Sequence, residues 1–429
     1  MIDAIISGKL IKAPELKTGQ SGKYYCQFLL SVSVGEEKPV IVSGVVLTPL
    51  QDEWQLSNFQ SGLIASAFFF GYMLAVPLAT ALTDRVDARK VYLVGGICAT
   101  CGLLGMGLFA HNFYTALFFM ALNGAGLAGT YMPGLKILSD RIQSGELTRH
   151  IAFYTAFFGI GTGFSYLCSG WILHSFGWRY VFSLIAMGPF AALLIVWLLI
   201  PPLQHQKWSG PLRIRMRDIF PLEKWRLVLQ DKKASGFIFG YTAHSLELFA
   251  SRSWLVAFFG LCAAVSGESF FLTATTLAGV INFCGVPSSI LGNEIALRIG
   301  RQKWVCFVML MSAVMGIALA CSTGKSWWLI VALAIGHAIF IMADSATLTA
   351  GLVTSAQENI KGAAMGLHSL MGFGGGLLGP AIFGFVLDLT GSRTSQISWV
   401  WAYVAVVIWG VLFVIYERRN GWVGQKPTS

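Results

Sequence analysis

Apolar stretches of about 20 residues, the length that carries a helix across the hydrocarbon of a bilayer, recur from Asn58 almost to the end of this 429-residue chain. Such stretches satisfy their own backbone in lipid, where water cannot. Eleven are legible, over residues 58–83, 91–110, 113–135, 151–173, 180–200, 234–263, 270–297, 304–323, 327–354, 362–388 and 398–416. Charged residues make up only 12% of the chain, against roughly 25% in an ordinary soluble domain. That excludes a soluble enzyme, and 14 Trp with 31 Phe exclude a disordered chain.

The net charge of +10 is explained by where the charge lies. One set of connections between spans holds Arg85, Arg89, Lys90, Lys136, Arg141, Arg149, the eight basic residues from Lys207 to Lys233, Arg298, Arg301, Lys303, Lys361, Arg418, Arg419 and Lys426. The other set holds Arg179, Lys325 and Arg393. Lys and Arg collect on the cytoplasmic side of membrane proteins, so the rich set, the 201–233 linker and the C-terminus are placed inside. Eleven spans then put whatever precedes Asn58 outside, and an even count would need one more span at the front. The cysteines, including Cys98 and Cys101, lack His or Asp partners at metal-ligand spacing and read as buried small apolar residues.

The first 44 residues alternate β-prone runs with turn signals, as hairpins do. SGKLIKAPELKTGQSGKYYCQF and KPVIVSG resemble the front of the primosomal replication protein and single-stranded-DNA-binding OB-fold family. Only about three of the five strands of such a barrel fit. From Val45 the sequence reads as the exit of one membrane helix and the start of the next. The expectation is therefore a first helix truncated near Gly44, its front half replaced by an OB-like fragment, in a chain that transports poorly for lack of it.

LTDRVDARK, Leu82 to Lys90, resembles the loop signature of the major facilitator superfamily between the second and third helices. Asp84, Arg85, Arg89 and Lys90 match; Thr80 and Asp87 stand where the family prefers glycines, and Ala88 where it often has a basic residue. A degenerate copy lies six spans on in LGNEIALRIGRQK, with Arg298, Gly300, Arg301 and Lys303 in register and Leu297 at the acid position. The resemblance implies two helical bundles that rock about a midplane site. It also implies a cytoplasmic gate at Asp84, Arg85, Arg89, Lys90, Arg298 and Arg301. Other similar stretches are NGAGLAGTYMPG from Asn123, GWRYVF from Gly177 and MGFGGGLLGPAIFG from Met371; glycines at this density let helices approach closely in lipid. Met120 in place of an Arg, and the lack of a Gly-Pro pair in GIGTGFSYLCSG, speak against a drug/proton antiporter. The absence of a buried Arg before the terminal loop in either 58–83 or 270–297 speaks against a nitrate-type member.

Ionisable residues at bilayer depth are costly and mark pathways. His244 and Glu247, three apart on one face, and Arg252 lie in the span 234–263; Asp344 lies in 327–354 and His368 in 362–388. All five are expected on the substrate and proton pathway, with Asp344 approaching His368 as a coupling pair, and His337 as structural. STGKS at Ser322 lacks the glycine that a phosphate loop needs, which excludes an ATP-driven pump, and no nucleophile triad, metal cluster or cofactor motif suggests an enzyme.

The expected fold is thus an all-α membrane protein. It comprises an OB-like β fragment over 1–44, an N-terminal bundle over 45–200, a basic linker over 201–233 and a six-helix bundle over 234–429. The expected function is secondary transport of a small organic solute, tilted toward a proton-coupled organic anion, by a monomer in a bacterial inner membrane. The competing reading is a membrane-tethered single-stranded-DNA-binding protein or a non-transporting fusion product. Nucleic acid is not an expected partner, because the topology leaves the fragment outside.

Overall fold

A computed structural model describes residues 15–18, 24–27, 38–83, 85–141, 161, 163–203, 220–267, 270–357 and 360–419. At the front, strands β1 (Glu15–Thr18) and β2 (Tyr24–Gln27) form an antiparallel hairpin with Glu15 opposite Gln27 and Thr18 opposite Tyr24. The rest of the expected β fragment lies outside the described residues. Helix α1 (Lys38–Trp54) follows. The junction expected at Gly44 therefore falls inside a helix. Its 17 residues extend ~25 Å at 1.5 Å per residue, short of the roughly 30 Å hydrocarbon layer.

The N-terminal bundle continues with α2 (Asn58–Thr83), α3 (Ala88–Phe109), α4 (Phe113–Ser139), α5 (163–176), α6 (Trp178–Ile185) and α7 (Met187–Leu199). A short helix, α8 (Leu222–Gln230), sits in the linker and buries Val228 against the second bundle. That bundle holds α9 (Lys232–Ser266), α10 (Ala274–Ile299), α11 (Arg301–Ala320), α12 (Trp327–Met342), α13 (Ser345–Ser355), α14 (Lys361–Leu389) and α15 (Gln396–Arg419). Among the described residues nine helical segments are long and apolar enough to cross a membrane. Of the eleven spans expected, 113–135 falls within α4, while 151–160 lies outside the described residues.

Helix ends follow local chemistry. The Asp231 carboxylate accepts from the Lys233 and Ala234 amides at 2.9 and 3.2 Å, starting α9, and Asn112 with Thr115 forms a reciprocal cap on α4; both occupy amides that a helix start leaves unpaired. The turn between α10 and α11 runs through Gly300 at φ 99°, a conformation that side-chain-bearing residues rarely adopt.

The glycine-rich motifs are contact surfaces. On α4, Gly124 meets the Phe68 carbonyl of α2, while Gly126 and Gly129 meet Ala99 and Gly95 of α3. On α14, Gly375 and Gly379 lie against the backbone of α9 at Thr242 and Leu246, and Gly376 against Phe69 of α2 and Phe249 of α9. Helix α14 is thus held between its own bundle and the other. GWRYVF serves a different end: the Glu53 carboxylate accepts from Trp178 Nε1 at 2.5 Å and from Arg179 Nη2 at 3.2 Å, tying the α1–α2 turn to the start of α6.

The seven cysteines from Cys98 to Cys321 are free, but not all are buried as expected: Cys262 and Cys306 are, whereas Cys101 and Cys321 are exposed. Cys101 is on a bundle helix whose outward face, in lipid, accepts a small apolar group as readily as the core does.

Candidate functional site

Two seams join the bundles in the outer half of the molecule. Along α2 and α14, Gly62 abuts Pro380 and Gly384 abuts the Asn58 carbonyl. Along α1 and α9, Gly44 touches the Arg252 and Ser253 backbone. Aromatic rings fill the middle of the first seam: Tyr72 stacks on Phe373 at 3.8 Å, and Phe69 lies 4.5 Å from Phe249. At the outer rim, Asp388 of α14 accepts from the backbone amides of Asn58 and Phe59 at 3.0 and 2.7 Å and from Asn58 Nδ2 at 2.7 Å. Arg393 reaches back to Gln51 and, at 2.8 Å, to Asp52.

Beneath this roof lie the ionisable residues singled out by the sequence. His244, Glu247, Arg252, His337, Asp344 and His368 are all buried. Arg252 sits where helices converge. Its Nε donates to Asn282 Oδ1 of α10 at 2.9 Å, its Nη2 approaches Met342 Sδ of α12 at 3.6 Å, and its backbone carbonyl accepts from Tyr166 OH of α5 at 2.7 Å. The Arg252 backbone is thus contacted by two helices of the opposite bundle, α1 and α5.

Glu247 turns inward. Its Oε1 accepts from Ser312 Oγ of α11 at 2.5 Å and pairs with His337 Nε2 of α12 at 3.0 Å. The His337 ring lies edge-on to Tyr403 of α15, 5.9 Å away. Sequence spacing had placed Glu247 beside His244; on the helix they share a side, and each finds a separate partner on the span formed by α12 and α13.

The expected Asp344–His368 approach is replaced by another pairing. Asp344 Oδ1 lies 2.8 Å from His244 Nδ1, though neither atom has an aligned hydrogen bond. His368 stacks on Tyr241 at 4.0 Å, and Tyr241 in turn lies parallel to His244 at 5.7 Å; His368 Nε2 is 3.3 Å from Thr349 Oγ1. Asp344 occupies a break in the regular hydrogen bonding of its span, between the end of α12 at Met342 and the start of α13 at Ser345, where Ala343 and Asp344 keep right-handed helical angles. The break is built in: Trp304 Nε1 donates to the Ala343 carbonyl at 2.9 Å, and Gly292 presses against the same carbonyl, where a Cβ would not fit.

At the expected cytoplasmic gate, Asp84 lies outside the described residues. Arg89 donates to the Val196 and Trp197 carbonyls of α7 at 3.4 and 2.7 Å, and Arg301 to Thr354 Oγ1 of α13 at 2.6 Å. Both contacts stay within one bundle. Lys90 and Arg298 are exposed and Arg85 is partly buried. The organising acid among the described residues is Asp87, read from the sequence only as a departure. It caps α3 through the Arg89 amide at 3.0 Å, accepts the Leu203 amide at 3.0 Å and pairs with Arg141 at 3.7 Å. Asn282, Tyr241, Ser312 and Asp388 also went unread, being ordinary polar residues whose partners lie tens to hundreds of positions away.

Two helical bundles meeting along apolar seams, with acids and histidines paired inside apolar helices, define a multi-pass membrane protein with the architecture of a transporter. A family model of the Major Facilitator Superfamily matches residues 40–380, and the chain belongs to that superfamily. Among its relatives, the probable sphingolipid transporter spinster homolog 1 of Arabidopsis thaliana is 22% identical over 92% of this chain and 85% of its own length. The probable galactarate/D-glucarate transporter of Bacillus subtilis strain 168 is 22% identical over 92% of each chain. The inward-facing, unoccupied crystal structure of a bacterial homolog of the human lysosomal transporter spinster shares the fold, with TM-score 0.72 and 16% identity over 92% of this chain and 98% of that one. The match that shows the family begins at residue 40, and no comparison supports the OB-like resemblance of the front.

Proposed function

We propose that this secondary transporter moves a small organic anion and couples it to protons. Arg252 carries the reading. A guanidinium buried at bilayer depth is retained against a cost of several kcal/mol, and this one lies where both bundles meet, which is where alternating access exposes a ligand to each side in turn. A planar fork of donors suits carboxylates. The dicarboxylates named for the Bacillus relative are of this class. A buried His–carboxylate pair is a candidate for carrying the coupling proton, and the basic loops support an orientation with the linker on the cytoplasmic side of what is expected to be a bacterial inner membrane. The basic cluster from Arg85 to Lys90, with Arg298 and Arg301, is proposed to line the cytoplasmic gate.

The test is reconstitution of the full chain into proteoliposomes with an imposed pH gradient and a panel of labelled mono- and dicarboxylates, D-glucarate included. Saturable accumulation that collapses with the gradient is expected. Uptake of neutral solutes with no response to any carboxylate would refute the anion reading. No uptake of any solute would favour the competing reading, a non-transporting fusion product.

A further inference from the structure

The two buried acid–histidine pairs are wired reciprocally between the same two spans. Helix α9 supplies His244 and Glu247, and the antiparallel span α12–α13 supplies Asp344 and His337 as their respective partners. Their settings differ. Glu247 is closed in by α11 and α12 with α15 behind, and its carboxylate is met by a hydroxyl and an imidazole at hydrogen-bonding distance. A buried charge so satisfied is a fastening. Asp344 sits where the hydrogen bonding of its span tightens, the Ala343 amide donating to the Phe340 carbonyl three residues back. Around it, Asp344 Oδ1 faces His244 Nδ1 at 2.8 Å, and among the described residues the buried His368 Nδ1 and Thr347 Oγ1 have no hydrogen-bond partner.

We propose that Asp344, with His244 and His368 beside it, is the site that takes up and returns the coupling proton, and that Glu247 with Ser312 and His337 is a permanent brace of the C-terminal bundle. The inference rests on the proton-coupled reading above and assigns its residues. The charged or titratable groups facing Asp344 are His244 and, one turn outward, Glu247 from α9; His368 of α14 reaches it through the Tyr241 and His244 rings. Helices α10 and α11 meet the break with Gly292 and Trp304. No bond is made or broken beyond the proton: the Asp344 carboxylate becomes a carboxylic acid when the site faces the acidic side and releases the same proton on the other. The Asn282–Arg252–Met342 contacts end one residue before the break, so an anion that shifts Arg252 acts directly on the helix end carrying Asp344.

Infrared difference spectroscopy on the purified full chain reads carboxylic-acid protonation without any substrate. Titrated across about pH 5 to 8, the range over which histidine partners change charge, the wild type is expected to show a carboxylic C=O band that Asp344→Asn removes and Glu247→Gln retains. His244→Gln is expected to move the midpoint of that band, which keeps the test decisive should Asp344→Asn misfold. Glu247→Gln is expected instead to lower the unfolding temperature. A band lost in Glu247→Gln and kept in Asp344→Asn, or no titrating band at all, overturns the assignment. In proteoliposomes with D-glucarate as probe, Asp344→Asn is expected to keep counterflow exchange and lose gradient-driven accumulation. If the wild type moves no carboxylate, the transport reading fails while the infrared result still decides which acid titrates.

Discussion

A guanidinium and an ammonium carry the same charge, but Arg252 uses its geometry. Its Nε is committed to Asn282 Oδ1 at 2.9 Å and another nitrogen to Met342, an arrangement a single ammonium cannot span. Arg252→Lys is therefore expected to raise KM for a transported carboxylate about ten- to a hundredfold, the equivalent of one charge-assisted hydrogen bond of about 1.5–3 kcal/mol, with Vmax less affected; initial-rate uptake measures both. Buried ionisable residues stand out in an apolar sequence because lipid makes each one costly, so His244, Glu247, Arg252, Asp344 and His368 were all legible as a set. Which of them touch was not. The partner of Asp344 depends on the rotation and register of three helices, and the sequence pointed to His368 where the structure brings His244. His337, read as structural, shares a hydrogen bond with Glu247.

At the scale of elements, α14 shows what its glycines do. A Cβ on Gly375 would lie 2.4 Å from the Thr242 carbonyl, whereas one on Gly366 would meet nothing within 4 Å. Gly375→Val is expected to cost about 1–3 kcal/mol by overpacking and to lower the unfolding temperature in detergent. Gly366→Ala on the same helix is expected to be neutral or to raise it, since Ala is the better helix former by about 1 kcal/mol. Hydropathy made the spans readable because helix length in lipid is fixed by bilayer thickness, and the glycine runs announced close contacts. The break at Ala343–Asp344 was invisible. It depends on an indole from α11 and a missing side chain on α10, neither of which leaves a local signature. The start of α1 was misplaced for a related reason: the run from Pro39 to Gly44 is rich in β-branched residues and reads as strand-prone, and the helix extends back through it.

For the molecule as a whole, the bundles are latched at the outer rim. Asp388 presents a negative carboxylate to the positive end of α2, where a charge adds to the hydrogen bonds it accepts. Asp388→Asn keeps the shape and removes the charge. It is expected to cost the closed outer face about 0.3–1 kcal/mol, and so to raise labelling of a Ser61→Cys reporter by externally added maleimide in a chain whose native cysteines have been replaced. Unchanged labelling would show that the apolar seam alone holds the rim shut. The same orientation requires that tags in the 201–233 linker and at the C-terminus stay protected from impermeant reagents in sealed cells; access to either from the medium would reverse the assigned sidedness.

The latch also bears on how the protein could be blocked. With Asp388 seated on α2 and aromatic rings stacked below it, the way into the seam from that end is shut in this state, and a blocker arriving from there would have to wait for the latch to part.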